Sequence, residues 1–252
     1  MALFPRSRRR AMPADQLAAL TARWLAPWQG LGVVERARLI ELAEVLVREL
    51  RWEAAQGFQV DEDMKVAVSS HAALIVLGFD DGLDSYLDVT SVIMHPSTIV
   101  RSGARPVGGG LFTAQPDFYI GEAHHKGPVL ISWDAASGQA RAPWFGENVL
   151  FHEFAHRLDM LDGVSNGTPP LSDPDALRAW IAVCTASLQR LRAQEEPSVL
   201  RSYAATNPSE FFAVASEVFF TRPAALREED PKLYDVLRRY FRQDPALRPH
   251  HE

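Results

Sequence analysis

Only two short stretches of this chain favour strand, and both lie in its middle. Residues 86–100 are rich in β-branched side chains, with His95-Pro96 expected to interrupt them. Residues 128–133 read Pro-Val-Leu-Ile-Ser-Trp, bounded by Gly127 and by the turn-like run 134–138. The clear periodicity on either side is helical. Residues 15–28 carry Leu17, Leu20, Trp24 and Leu25 at helical spacing, and residues 33–52 align Leu39, Leu42, Leu46, Val47 and Leu50 on one face. Residues 61–79 open with three acidic side chains, which suit the positive end of a helix dipole, and then turn almost wholly apolar. That helix is expected to be central and buried. Helices resume over 147–161, 173–194, 208–220 and 231–241. Helices, a small sheet, then helices again predict an α+β fold, mainly helical with a small mixed sheet. No repeat or clean linker divides the chain. A single domain is expected over residues 15–245, between a flexible basic N-terminus (1–14) and a flexible tail (246–252).

Composition narrows the function. A chain of 252 residues that is 47% hydrophobic and 23% charged can bury a core without covalent staples. Cys184 is its one cysteine, so neither an intramolecular disulfide nor a multi-cysteine metal site can form. That fits a reducing, cytoplasmic setting. Lysine and arginine total 26 against 32 acidic residues, a net charge of −6, which argues against direct nucleic-acid binding. The arginines at 6 and 8–10 read as a short solvated arm. The longest apolar run, residues 72–79, is far shorter than the roughly 18 residues a membrane span needs. Gly108, Gly109 and Gly110 are no phosphate loop, because no Lys-Ser/Thr follows them.

The chemistry concentrates in Val149-Leu-Phe-His152-Glu153-Phe-Ala-His156-Arg-Leu-Asp159. Histidines four apart lie one helical turn above each other, so both imidazoles can reach one metal ion. Two imidazoles at that spacing suit Zn²⁺, with bonds of about 2.0–2.1 Å. Glu153 is offset around the helix, where its carboxylate can act as a general base on water beside the metal. A catalytic zinc site needs a third protein ligand and an open position. Glu210, Glu217 and Asp159 are the candidates. Asp159 also suits a different task, accepting a hydrogen bond from a ligand imidazole. Glu210 has its own alternative, since Asn207, Pro208 and Glu210 fit the cap, first and third positions of a helix start. Glu217 also fits as an indirect carboxylate or a buried partner for an arginine. His95, His124 and His125 read as surface or loop residues, and Phe211, Phe212, Phe219 and Phe220 as core.

The run His152-Glu-Phe-Ala-His-Arg-Leu-Asp-Met-Leu-Asp162-Gly163 resembles the active helix of the MtfA family, bacterial zinc metallopeptidases related to the Mlc titration factor. Tyr203-Ala-Ala-Thr-Asn-Pro-Ser-Glu210 through Glu217-Val-Phe-Phe220 resembles the family's downstream ligand helix. Residues 127–133 resemble the strand before the active helix. The Tyr-x₆-Glu spacing is also similar to the catalytic region of anthrax lethal factor. The resemblance spans residues 15–245 and implies a zincin-like core with one Zn²⁺ per chain. It implies Glu210 as third ligand, Glu153 as base, and Tyr203 as a hydrogen-bond donor to the transition state. It further implies aminopeptidase-type cleavage of short peptides and binding of an Mlc-like transcriptional repressor. The rival expectation is a non-catalytic regulator that sequesters such a repressor, its zinc structural. Residues 128–133 are expected to form an edge strand beside the cleft, where an extended peptide can add as a further strand.

Overall fold

The computed structural model describes residues 12–55, 57–97, 106–107, 111–112, 127–193 and 197–249. The arginines at 6 and 8–10, the glycines at 108–110, His124, His125 and the histidines at 250 and 251 lie outside them. Two helices, α1 (Ala14–Trp24) and α2 (Val33–Glu49), lead into strand β1 (Arg51–Ala54). Helix α3 (Glu62–Ile75) precedes strands β2 (Ser91–His95), β3 (Pro106–Val107), β4 (Leu111–Phe112) and β5 (Val129–Ser132). The C-terminal half is helical: α4 (Trp133–Arg141), α5 (Val149–Asp159), α6 (Pro174–Ala193), α7 (Pro208–Thr221), α8 (Pro223–Glu229) and α9 (Pro231–Phe241). This is the α+β order read from the sequence. Its sheet is divided: β1, β2 and β5 are parallel in the order β1-β2-β5, while β3 and β4 form a separate antiparallel pair.

Two helices carry the core because they are buried on every face. In α3 every residue from Val66 to Ile75 is buried, and in α7 every residue from Ser209 to Phe220. The four phenylalanines of α7 are at most 2% exposed, as core residues should be. Asp61 caps α3, its carboxylate accepting from Met64 N–H at 2.8 Å. Helix α5 packs against α3 on one side and α7 on the other. No described helix is long and apolar enough to cross a membrane.

Four local readings differ from the structure. Trp52, expected at the end of a helix, belongs to β1. The backbone turns extended at Leu50, and Arg51–Ala54 then pairs with β2 from Ser91 to Met94. The run 134–138 is helical rather than turn, since Ser132 starts α4 and Ala136 and Ala140 bury its inner face. Helix α8 was not anticipated; Pro223 begins it after the backbone breaks at Arg222. Residues 246–248, expected in a flexible tail, are held in place. Arg248 donates to Glu35 at 2.8 Å and to Gln243 at 2.9 Å.

Strand β5 stands at the sheet's edge: among the described residues β2 is its one partner, registered from Val92↔Val129 to His95↔Ser132. Trp133 has already passed into α4. Pro128, which lacks an N–H, lies just before the strand, and its carbonyl accepts from Arg157 of α5 at 2.6 Å. The edge is thereby fastened to the helix that bears the histidines.

Candidate metal centre

Asn148 sets the start of α5. Its side-chain oxygen accepts the N–H groups of Leu150 and Phe151, both at 3.1 Å, satisfying two donors that a helix start leaves unpaired. Leu150, Phe151, Phe154, Ala155 and Leu158 are fully buried and fix the helix's rotation. That rotation leaves His152, Glu153 and His156 on one side, with Glu153 partly exposed. The four-residue spacing brings the two imidazoles together, Nε2 to Nε2 at 3.1 Å.

Helix α7 supplies the third group. Asn207 caps it by accepting from Glu210 N–H at 2.9 Å, and Pro208 takes the first position, where no N–H is needed. The Glu210 carboxylate faces the histidines, with Oε2 3.1 Å from His152 Nε2 and 3.6 Å from His156 Nε2. Among the described residues these three side chains form one group that could hold a metal ion. A tetrahedral ion with bonds of about 2.0–2.1 Å spaces its ligand atoms about 3.3–3.4 Å apart. The observed spacings of 3.1, 3.1 and 3.6 Å bracket that value, so the donor set fits such an ion.

Glu217 and Asp159, the other two candidates, are buried beside this group rather than in it. Glu217 Oε1 lies 2.7 Å from His152 Nδ1, on the far side of the ring from Glu210. Arg201 grips both oxygens of Glu217, each at 2.7 Å, and the Asn148 N–H donates to Oε2 at 2.6 Å. Such a carboxylate–imidazole contact fixes a ligand's orientation. Glu217 is thus the buried arginine partner read from the sequence, and it also contacts His152. Asp159 does not touch an imidazole. The Ser209 hydroxyl stands between, 2.7 Å from Asp159 Oδ2 and 3.1 Å from His156 Nδ1. Arg201 and Ser209 carry no signal of their own in the sequence; only their neighbours in space identify them. His95 ends β2 opposite Ser132 and takes no part.

Tyr203 lies in the turn Ser202–Ala205, its ring 6.2 Å from that of His152, with the Arg201 guanidinium 5.7 Å from its ring centre. Burial and the Glu210 carboxylate, to which it hydrogen-bonds, hold its hydroxyl well above the ordinary tyrosine value, so it remains a donor. Burial alone would favour neutral forms of His152 and Glu210. Their mutual contact outweighs it, and Glu217 adds to the effect. His152 is thus held well above the usual imidazole range and Glu210 well below the usual carboxylate range. The cluster calls for a positive charge, which a proton or a metal ion can supply.

The comparisons agree with this geometry. Residues 4–242 match the model of the glucose-regulated metallo-peptidase M90 family. An uncharacterised protein of Synechocystis is 28% identical over 243 residues, covering 94% of this chain and 87% of its own. The Mlc titration factor A of Edwardsiella ictaluri is 31% identical, with 86% and 84% covered, and that of Serratia proteamaculans 29% identical, with 90% of each covered. A family match over nearly the whole chain, around a convergent His-His-Glu group, establishes that this protein belongs to the glucose-regulated metallopeptidases of family M90.

Proposed function

We propose that the chain is a zinc-dependent peptidase acting on short peptides, in the manner of an aminopeptidase, with His152, His156 and Glu210 as metal ligands. The observation that supports this most is the convergence of those three side chains on one point beside Glu153 and Tyr203. Zn²⁺ bound there supplies Lewis acidity, polarising a peptide carbonyl and acidifying water. Glu153 takes the attacking water's proton on a carboxylate oxygen and returns it to the leaving nitrogen. Tyr203 donates its hydroxyl proton in a hydrogen bond to the oxyanion as it develops. The side of β5 away from β2 receives the substrate backbone as an added strand, a form of recognition tolerant of side-chain sequence. Within the folded unit, which we place at residues 15–245, all of these groups come from one chain. A cytoplasmic setting accords with the single cysteine.

The test is turnover of short peptides by metal-loaded protein, with and without chelator. Glu153→Gln is expected to keep the fold and the metal while losing at least about 100-fold in kcat, the scale of a general base. A folded, zinc-loaded wild type inactive on a broad peptide panel would overturn the reading.

The name of two of these relatives, Mlc titration factor A, favours a second activity, binding of an Mlc-like repressor. A surface suited to a protein partner lies just before α5. Trp144 and Phe145 sit side by side on the turn Pro143–Phe145, 65% and 72% exposed. Repressor binding that survives Glu153→Gln would separate it from catalysis.

A further inference from the structure

We infer that Ser209, Asp159 and Ser165 form a hydroxyl relay that keeps the proton of His156 on Nδ1 and so presents Nε2 to the metal. The inference rests on the reading of His152, His156 and Glu210 as a metal site.

Asp159 is fully buried; its Oδ2 accepts from Ser209 at 2.7 Å and lies 3.3 Å from the Ser165 oxygen. A carboxylate only accepts, so the Ser209 proton points at Asp159. The oxygen of Ser209 is then left as an acceptor toward His156 Nδ1 at 3.1 Å, which must come to it as N–H. The second lone pair of Ser209 faces the Ser165 hydroxyl at 2.7 Å. The Ser209 proton is already given to Asp159, so Ser165 turns its single proton to Ser209, and Ser209 gives one hydrogen bond and receives two. With the proton on Nδ1, Nε2 carries a free lone pair, and Nε2 is the ring atom that faces His152 and Glu210.

The backbone holds the relay as firmly as its hydrogen bonds do. Ser209 lies one residue before Glu210, so the first turn of α7 delivers a metal ligand and the relay hydroxyl together. Ser165 comes from the loop after α5, and that loop is pinned to the same turn. Gly167, at φ +75°, approaches Pro208 so closely that a Cβ there would lie 2.2 Å from its carbonyl oxygen. The Gly167 carbonyl in turn accepts from the Trp180 indole at 3.0 Å. The two histidines are thus oriented differently, His152 by a carboxylate directly and His156 by a carboxylate acting through a hydroxyl. Ser209, Asp159 and Ser165 are positioning residues, since none is itself among the groups that converge on the metal.

Two measurements test the relay: Zn²⁺ affinity by competition with a chromogenic chelator, and the His156 tautomer by ¹⁵N NMR of the metal-free protein. The wild type is expected to bind one Zn²⁺ per chain and to show His156 protonated at Nδ1. Ser209→Ala and Asp159→Asn are expected to bind Zn²⁺ about 10–100-fold more weakly, the usual effect of losing a group that orients a ligand. Asp159→Asn preserves volume but reverses the relay. Its amide donates to Ser209, the Ser209 proton turns to Nδ1, and the His156 proton moves to Nε2. Ser209→Thr keeps the hydroxyl and should recover affinity to within a few-fold. Should Ser209→Ala fail to fold, the isosteric Asp159→Asn and the Ser209→Thr rescue carry the test. Stoichiometric Zn²⁺ binding by the wild type with equal affinity in the variants would overturn the relay and leave the site standing. Weaker binding by Asp159→Asn with the Nδ1 tautomer unchanged would reduce Asp159 to a packing contact and also overturn it. A wild type that binds no Zn²⁺ would overturn the site reading, and the relay with it.

Discussion

Around His152 the strongest constraint is a charge problem. Two carboxylates, Glu210 and Glu217, touch opposite nitrogens of one imidazole in a nearly water-free setting. Arg201 balances one of them, and its place is therefore structural as much as electrostatic. Arg201→Leu would leave Glu217, 1% exposed, held only by His152 and the Asn148 N–H. Breaking a buried pair in this way should cost about 3 kcal/mol of unfolding free energy in the metal-free protein, measured by urea titration. No loss would mean that the site does not depend on the guanidinium. Tyr203 has a different task and a different signature. Tyr203→Phe removes the hydroxyl proposed to act on the oxyanion, so kcat should fall by about 10²–10³ with little change in KM. An unchanged kcat would return Tyr203 to a packing role against His152 and Arg201.

At the level of elements, α3 is the least ordinary helix because it buries a histidine. His71 is 1% exposed, bonds the Ala67 carbonyl at 2.7 Å through Nδ1, and packs on the Phe151 ring at 4.8 Å. Burial pushes it down to about 4, against a smaller opposing effect of the Ala67 carbonyl. Between about pH 4 and 6.5 the unfolded chain therefore binds a proton at this position that the fold does not. Unfolding is favoured as pH falls through that window, by up to about 3 kcal/mol, and above pH 6.5 the contribution is complete. Comparing the pH dependence of unfolding in metal-free wild type and His71→Phe checks this. The variant should lose that part of the slope, and parallel curves would refute it. The same helix packs against α5, which carries His152 and His156.

For the molecule as a whole, the proposed metal site would act as a cross-brace. His152 and His156 come from α5 and Glu210 from α7, the two helices most closely packed in the second half of the chain. A metal that binds only the folded form adds about 2.7 kcal/mol at a free concentration 100-fold above its Kd. In a chain of this size that corresponds to about 5–10 °C in the unfolding midpoint. Calorimetry with and without chelator should show this shift, and an unchanged midpoint would count against a metal bound across the two helices.

What the sequence determined by itself was local. Helix periodicity is written in side chains three and four residues apart, so the centre of nearly every long helix was legible, as was the pairing of His152 with His156 on one face. The short strand at 129–132 was legible too, within the run 128–133 that follows Gly127, although the run 134–138 read as its far boundary is a helix. The strand Arg51–Ala54 was not, because its pattern continues that of α2 and only pairing with distant β2 makes it extended. The third ligand divides along the same line. From spacing alone Glu210, Glu217 and Asp159 were all open, since seven-residue separations place each on a plausible face. The resemblance favoured Glu210, but only the packing of α7 across α5 separates the three. That packing sets Glu210 against Nε2, Glu217 against Nδ1, and Ser209 between His156 and Asp159. Arg201 and Ser209 meet the site only through partners 16 and 53 residues away, contacts that no local pattern encodes. Side-chain chemistry chose what could bind a metal; the tertiary fold decided which groups face the same point.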